Sequence, residues 1–364
     1  MTLVETLRHA PPLRRAAATA MVAAGLLMSG TAMAQDTTMA IAHVLPESLD
    51  NEVQPALLHF KRLVEGKTDG AIKVEIYGAG QLGSEVETGK QAQDGALLQS
   101  TVISSGAMSS FFPKYQIITA PFLFPDYRVA HAFFDGEWFA DFMHETIEDA
   151  GLRYLGTFDD GGGFVAFTNN GKLIKTVEDL EGMKIRVEEN PAHVATMKAL
   201  GASATPLPWG EVITALSTGL ADGQFNAPGV SLNWNLWEVN DFTTLSGHVY
   251  NSQSWLVSED WFQTLTDEQK QIVVSSAREA IALAHGISAL SAIAGWEASC
   301  KNFDECYVLP EAERTKMSEI ARPAWREWIT TDFGLDGALV DELLATVDAV
   351  ADETSKTDMQ RYGG

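Results

Sequence analysis

The sequence predicts an α/β fold in two lobes braced by one long helix. Three observations lead there. Strand-like and helix-like segments alternate along the first half of the chain, the pattern of βαβ units on a mostly parallel sheet. The chain has 364 residues, more than one hydrophobic core usually organises. Asp267 to about Asn302 forms an unbroken Ala-rich helical pattern. At ~1.5 Å per residue, such a helix outreaches a single lobe.

The elements follow in order. Arg8, Arg14 and Arg15 precede an apolar run, Ala16 to Leu27, and then Ala32-Met33-Ala34. Basic residues, a short apolar run and an A-x-A site mark residues 1–34 as a cleaved export signal. The run falls short of the ~20 residues that span a bilayer. Met39 to Val44 predicts a strand, Val53 to Gly66 an amphipathic helix and Ile72 to Tyr77 a second strand with Gly78-Ala79-Gly80 as its turn. Glu85 to Gly95 predicts a helix, and Gln99 to Ser104 a short apolar strand. Val74–Asp94 and Ala202–Gly223 share a strand–turn–helix plan, which fits two lobes of similar design. Gly151–Phe158 and Asp241–Ser254 are extended stretches suited to pass between lobes. Glu311 to Met359 predicts further helices, broken near Pro323 and at Gly334. The expected division places residues 35–158 in the first lobe, with 247–285 returning to it. Residues 159–246 form the second, with helices 286–364 packing across it and the brace.

Composition narrows the partners. The net charge is −24. Loss of residues 1–34, with three arginines and one glutamate, takes it to −26. Such a field disfavours nucleic acid or anionic membranes as partners, and an anionic ligand needs a local positive site. The two cysteines, Cys300 and Cys306, are close enough for a small-loop disulfide in an oxidising compartment. No His pair accompanies them, so neither a metal site nor a cofactor is expected. No G-x-S-x-G, H-E-x-x-H, P-loop or dinucleotide fingerprint occurs.

Arg186 is the sharpest positive feature. It sits in the strand-like Met183-Lys184-Ile185-Arg186-Val187, just before Asn190-Pro191. Asn caps helices and Pro suits their first turn. A guanidinium beside a helix N-terminus offers a rigid donor fork in a positive field, a natural carboxylate trap. The competing role is an ion pair with Glu188. An exported chain with this feature and no catalytic motif reads as a binder of a small molecule rather than an enzyme.

A set of motifs then appears in order: Gly80-Gln81-Leu82-Gly83-Ser84-Glu85, Pro121-Phe122-Leu123-Phe124, Phe167-Thr168-Asn169, and Glu178 through Val187. Lys198-Ala199-Leu200-Gly201-Ala202, Pro206-Leu207-Pro208-Trp209-Gly210-Glu211 and Asp222-Gly223-Gln224-Phe225-Asn226 complete it. In this set, which extends from about Met39 to the C-terminal helices, the chain resembles the dicarboxylate-binding (DctP-like) solute-binding proteins of tripartite ATP-independent periplasmic (TRAP) transporters. The resemblance implies a periplasmic, non-enzymatic protein of the two-lobed solute-binding fold. It also implies a small organic acid in the interlobe cleft, delivered to the small and large integral membrane subunits of a permease. By the same resemblance, Arg186 is the carboxylate anchor and Asn226 the cleft amide. Two departures qualify the ligand. Gly163-Phe164-Val165-Ala166 stands where many members carry a second Arg, and Glu188-Glu189 follows Val187 where Pro is common. One cation fewer and two acids more favour a monocarboxylate over a dicarboxylate, with a neutral or amine-containing solute as the alternative. The alternative outside the class is an exported α/β hydrolase or isomerase.

The other candidates have plainer competing roles. Trp209, Phe164, Trp234 and Trp237 are read as aromatic walls, though such residues more often fill cores. Glu85 is read as a ligand contact or a helix-dipole partner. His43 and Glu47 follow the first strand and face the cleft from the first lobe if they serve the ligand. Asp159 and Asp160, with Gly161 to Gly163, are read as a hinge or as acids facing the ligand.

Overall fold

The computed structural model describes residues 37–362, so the export signal lies outside the described residues. The strands are β1 (Thr37–Ala42), β2 (Ile72–Tyr77), β3 (Ser100–Ser104), β4 (Leu152–Asn169), β5 (Lys184–Val187), β6 (Ser203–Pro206), β7 (Gly223–Asn226), β8 (Phe242–Ser258) and β9 (Glu305–Val308). The helices used below are α1 (Val53–Lys67), α2 (Glu85–Asp94), α3 (Ser105–Met108), α4 (Tyr127–Phe134), α5 (Pro191–Ala199), α6 (Pro228–Trp234), α7 (Asp267–Asn302), α8 (Glu311–Glu327) and α9 (Gly337–Tyr362).

One mixed sheet runs through the molecule in the order β2-β1-β3-β8-β4-β7-β5-β6, with β9 beside β8. β1 pairs in parallel with β2 and β3, and β5 with β6 and β7. These two parallel trios are the sheets of the two lobes. The long strands β4 and β8 lie between them and pair antiparallel with each other. β8 pairs with β3 and β4 with β7, so the same two strands belong to both halves. The lobe boundaries expected at 158/159 and 246/247 fall inside them.

The inner strands β3 and β7 are fully buried, whereas the edge strands β2 and β6 keep exposed residues. Phe60 of α1 packs edge-on against Trp255 of β8 at 4.7 Å, in a core with Met39, Ile41 and Val74. A second core joins Phe167, Ile185, Phe225 and Met317.

The brace α7 starts with a reciprocal capping box, Thr266 with Gln269. Its first half packs Val273, Ala277 and Ile281 into the core beneath β1 and α1. Its second half meets α6 through small residues: a Cβ on Gly295 would lie 2.4 Å from the Pro228 carbonyl carbon and oxygen. The helix therefore touches elements of both halves. The disulfide Cys300–Cys306 ties its end to β9.

Two expectations need correction. Pro323 does not break a helix: it lies inside α8, and the break comes after Asp332, at Gly334. Nor do all C-terminal helices pack on the second lobe. α8 buries Met317 and Ala321 with Ile185 and Phe225, whereas α9 places Val340, Leu343 and Val347 among Phe133, Phe139 and Leu256. The aromatic surface of α4 lies open to it, and no sequence period could reveal that partner.

Candidate functional site

The carboxyl ends of the parallel strands point toward the middle of the molecule, where β4 and β8 cross. Ligands of open α/β sheets sit at such ends. A small cavity of about 20 Å3 lies there, lined by Val44, Leu45, Glu85, Ser104, Asp160, Arg186, Glu188, Trp209, Asn226, Val230 and Gln253. A larger groove of about 880 Å3 lies outside, between α5 and residues 324–332, and includes neither Arg186 nor Asn226.

Arg186 lies near the end of β5, paired with Thr205 of β6 and Gln224 of β7. It is 3% exposed. Its Nε and Nη2 both donate to the Leu207 carbonyl, at 3.0 and 2.6 Å. That grip aims the guanidinium and sets it over the Trp209 ring, 5.6 Å from the centroid. Arg186 forms no ion pair within 4.0 Å among the described residues, so the pairing with Glu188 weighed above is not made. Burial pulls its pKa down, while Glu188, Glu85, Glu189 and Asp160 push it back up. As expected, Asn190 caps α5, accepting from the Ala192 amide at 2.8 Å, with Pro191 in the first turn.

Asn226 ends β7, opposite Ala166 of β4. It donates to Gln224 Oε1 at 2.7 Å and accepts from Asn251 Nδ2 at 3.0 Å. These bonds fix its orientation. Trp209 follows β6 and stands edge-on to Trp234 at 5.5 Å, so Trp234 backs the wall rather than forming it.

Two carboxyls, Glu85 and Asp160, join Arg186 in the lining from other elements, and a third, Glu188, lies beside it just past the end of β5. Glu85 opens α2, but its carboxyl does not cap the helix; Ser84 and Glu87 do that. Instead it accepts from the Ser104 amide at 2.7 Å and the Ser104 hydroxyl at 2.9 Å. Burial, then Glu188, raises its pKa to about 7. Asp160 lies in β4 and takes Gln253 Nε2 at 3.1 Å. Burial, then Glu52, Glu188 and Glu85, hold its pKa well above the usual carboxylate range. Glu188 follows β5, reaches Ser105 Oγ at 3.4 Å, and has a raised pKa through burial. Just behind them, Glu52 accepts from the Gly161 amide at 2.9 Å and is pushed up to about 7 by burial.

The bulge at Gly161 to Gly163 makes this possible. Register jumps from Asp159↔Ser252 to Phe164↔Tyr250. All three glycines have positive φ, and a Cβ on Gly161 would meet the Val230 amide at 2.6 Å. The bulge seats β4 against α6 and α7.

Several candidates lie elsewhere. Phe164 joins Tyr127 and Tyr250, each at 4.9 Å. His43 bonds Gln54 at 2.7 Å behind the lining, and Glu47 takes Gly78 N and Gln81 Nε2 outside it. Asp159 turns away to His131 at 2.8 Å and to Tyr250. Trp237 stands against Phe303. Conversely, Gln253, Ser104, Val44, Leu45 and Val230 line the cavity without a signal that marked them. Glu188 had one: its place directly after Arg186-Val187.

The two sides touch across the cavity. Besides Ser105–Glu188, Asn190 Nδ2 donates to Thr119 Oγ1 at 3.4 Å, and Ser109 Oγ to the Glu189 carbonyl at 3.5 Å. Gly106 of α3 leaves just enough room for the Glu188 side chain.

Known proteins are similar to this chain in sequence and in fold. The ectoine/5-hydroxyectoine-binding periplasmic protein UehA of Ruegeria pomeroyi is 32% identical over 71% of this chain and 74% of its own length. The 2,3-diketo-L-gulonate-binding periplasmic protein YiaO of Escherichia coli is 30% identical over 61% of this chain and 66% of its own. The sugar acid binding protein DctPAm of Advenella mimigardefordensis, solved with galactonate, superposes with a TM-score of 0.81 at 26% identity, covering 87% of this chain and 99% of that one. The profile described as "Bacterial extracellular solute-binding protein, family 7" (DctP) matches residues 41–331, and the chain belongs to this family of TRAP solute-binding proteins.

Proposed function

We propose that this protein captures a small solute bearing one carboxylate in the interlobe cavity and delivers it to the integral membrane subunits of a TRAP permease. The observation that carries this reading is Arg186. It is a buried guanidinium at the carboxyl end of β5, already oriented by Leu207 and facing an enclosed space with no carboxylate partner within 4.0 Å. A buried cation gains from an anion brought to it, and a planar fork suits a carboxylate. Asn226, held by Gln224 and Asn251, supplies an oriented amide beside it, and Trp209 excludes water. A second carboxylate on the solute faces Glu85, Asp160 and Glu188, which supports one acid group rather than two.

Relatives whose names cite ectoine, diketogulonate and galactonate support small polar solutes. Their periplasmic naming supports export to that compartment, with residues 1–34 removed. Contacts made only when the lobes are closed shift the open–closed equilibrium. Membership of a family of solute-binding proteins supports capture rather than turnover.

Mass spectrometry of the small molecule that co-purifies with the protein, followed by thermal shift with that compound, tests the reading. A carboxylate that stabilises the protein and is recovered unchanged supports it; at ~100 times its Kd the gain is about 2.7 kcal/mol. Chemical conversion of the compound, or a bound compound without an acid group, overturns it.

A further inference from the structure

The cavity holds more acid than a simple carboxylate needs. Of its charged lining residues, one is cationic, Arg186, and three are acidic, Glu85, Asp160 and Glu188. An anionic solute alone leaves these acids uncompensated.

Two of the acids are built to stay acceptors. Glu85 receives the Ser104 amide on one oxygen and the Ser104 hydroxyl on the other. That hydroxyl accepts from the Ala107 amide at 3.3 Å, so its own proton points at Glu85. Asp160 receives the Gln253 amide on Oδ1. It is 6% exposed, and its Oδ2 has no hydrogen-bond partner among the described residues, although the residue lines the cavity. An acceptor that opens onto a cavity can take a donor from a ligand. On the opposite side, Arg186 uses only Nε and Nη2, both on Leu207, and Trp209 covers its face. The site is therefore polarised, with a donor pole at Arg186 and an acceptor pole at Asp160 and Glu85.

Resting on the reading above, we propose that the solute is a zwitterion: its carboxylate meets Arg186, and a cationic nitrogen bearing N–H or methyl groups meets Asp160, Glu85 and Glu188. The ligand's own two charges compensate both poles, whereas a sugar acid compensates only one. Burial and mutual repulsion raise the pKa values of Glu85 and Asp160, and a cation held between them acts in the opposite direction.

The test titrates the ligand-free protein calorimetrically at pH 7 with three sets of probes. The zwitterions are 4-aminobutyrate, glycine betaine and ectoine. The cation-free acids are butyrate, succinate and galactonate, and butylamine is the carboxylate-free cation. The expected result is tightest binding by a zwitterion, with protons released to the buffer. Asp160→Asn, nearly isosteric, then weakens that zwitterion about tenfold or more, the effect of losing a charge-assisted bond, and improves the cation-free acids. Glu85→Gln gives the same direction if Asp160→Asn fails to fold. A cation-free acid that binds at least as tightly as every zwitterion overturns the inference, as does failure of every zwitterion to bind. If that acid also loses affinity in Arg186→Ala, carboxylate capture stands without the zwitterion. If butylamine binds best and Arg186→Ala binds it unchanged, the carboxylate reading falls as well.

Discussion

A single methyl group placed at Gly106 should hold the cavity open. Gly106 lies in α3, on the β3 side of the crossing strands, and Glu188 follows β5 on the other side. An added Cβ would stand 2.4 Å from Glu188 Cβ and 2.7 Å from its Oε2. Rotation moves the carboxylate, but Glu188 Cβ is fixed to the end of β5. Relief therefore requires the two sides to part by about 1 Å, or strain of the order that overpacking brings, ~1–3 kcal/mol. Gly106 is helical, with no positive φ, so alanine suits its own backbone. Only the closed state is penalised. If solute binds the closed state, Gly106→Ala loses roughly 5- to 150-fold in affinity with little change in the melting of the ligand-free protein. Gly66→Ala, at a helical position with nothing within 4 Å, is the control. Titration calorimetry with the co-purified solute reads the affinity, and small-angle scattering reads compaction on binding. Wild-type affinity and compaction in Gly106→Ala would refute the closure reasoning.

Glu85 has a folded pKa of about 7, above its unfolded value, so its stabilising contribution is full below the unfolded value and is lost as pH rises through about 7. The melting temperature of Glu85→Gln minus wild type should therefore increase from pH 5 to 8, by an amount on the order of 1–3 kcal/mol in stability. Buried His43, His193 and His248 and half-buried His285, with lowered pKa values, titrate in the opposite sense in both proteins; a flat difference would remove the acid-strain account. Replacing Cys300 and Cys306 by serine opens a short loop at the end of α7. In the loop-entropy account this costs about 2 kcal/mol and lowers melting, while affinity stays within twofold because neither residue lines the cavity; a large affinity loss would show that the brace end governs the site. Asn226→Ala removes the amide and leaves Gln224 Oε1 and Asn251 Nδ2 without that partner; a loss of about 1–3 kcal/mol in stability or binding is expected, and no change in either would remove Asn226 from the site.

Local signals carried much of the fold. Ile72–Tyr77 and Asp267–Asn302 occur with the bounds the residues predict, because alternation and capping are short-range facts. Asn190-Pro191 caps α5 as its chemistry requires. The long strands β4 and β8 were visible only as separate extended stretches, since their pairing joins residues roughly 90 positions apart. Pro323 misled because α8 has enough tertiary packing, through Met317, Ala321 and Trp325, to continue past it.

The site was legible where a polar or charged side chain stood in a strand. Arg186 and Asn226 both reach the cavity, as does Asp160. Its neighbour Asp159 does not, since successive strand residues face opposite ways. The parity depends on the register of β4 with β8, which the sequence leaves open. Phe164 fails for a related reason: the glycine bulge turns it onto Tyr127 and Tyr250. Gln253 shows no local pattern, because its role is set by Asp160 on the adjoining strand.

In the proposed function, the buried guanidinium of Arg186 holds the carboxylate of a captured solute. Comparing solute affinity between wild type and Arg186→Ala by titration calorimetry, with circular dichroism to confirm the fold, addresses it most directly. Truncating one side of a buried charged pair costs about 2–5 kcal/mol, so affinity should fall at least ~30-fold. An unchanged Kd in a folded Arg186→Ala protein would contradict the account.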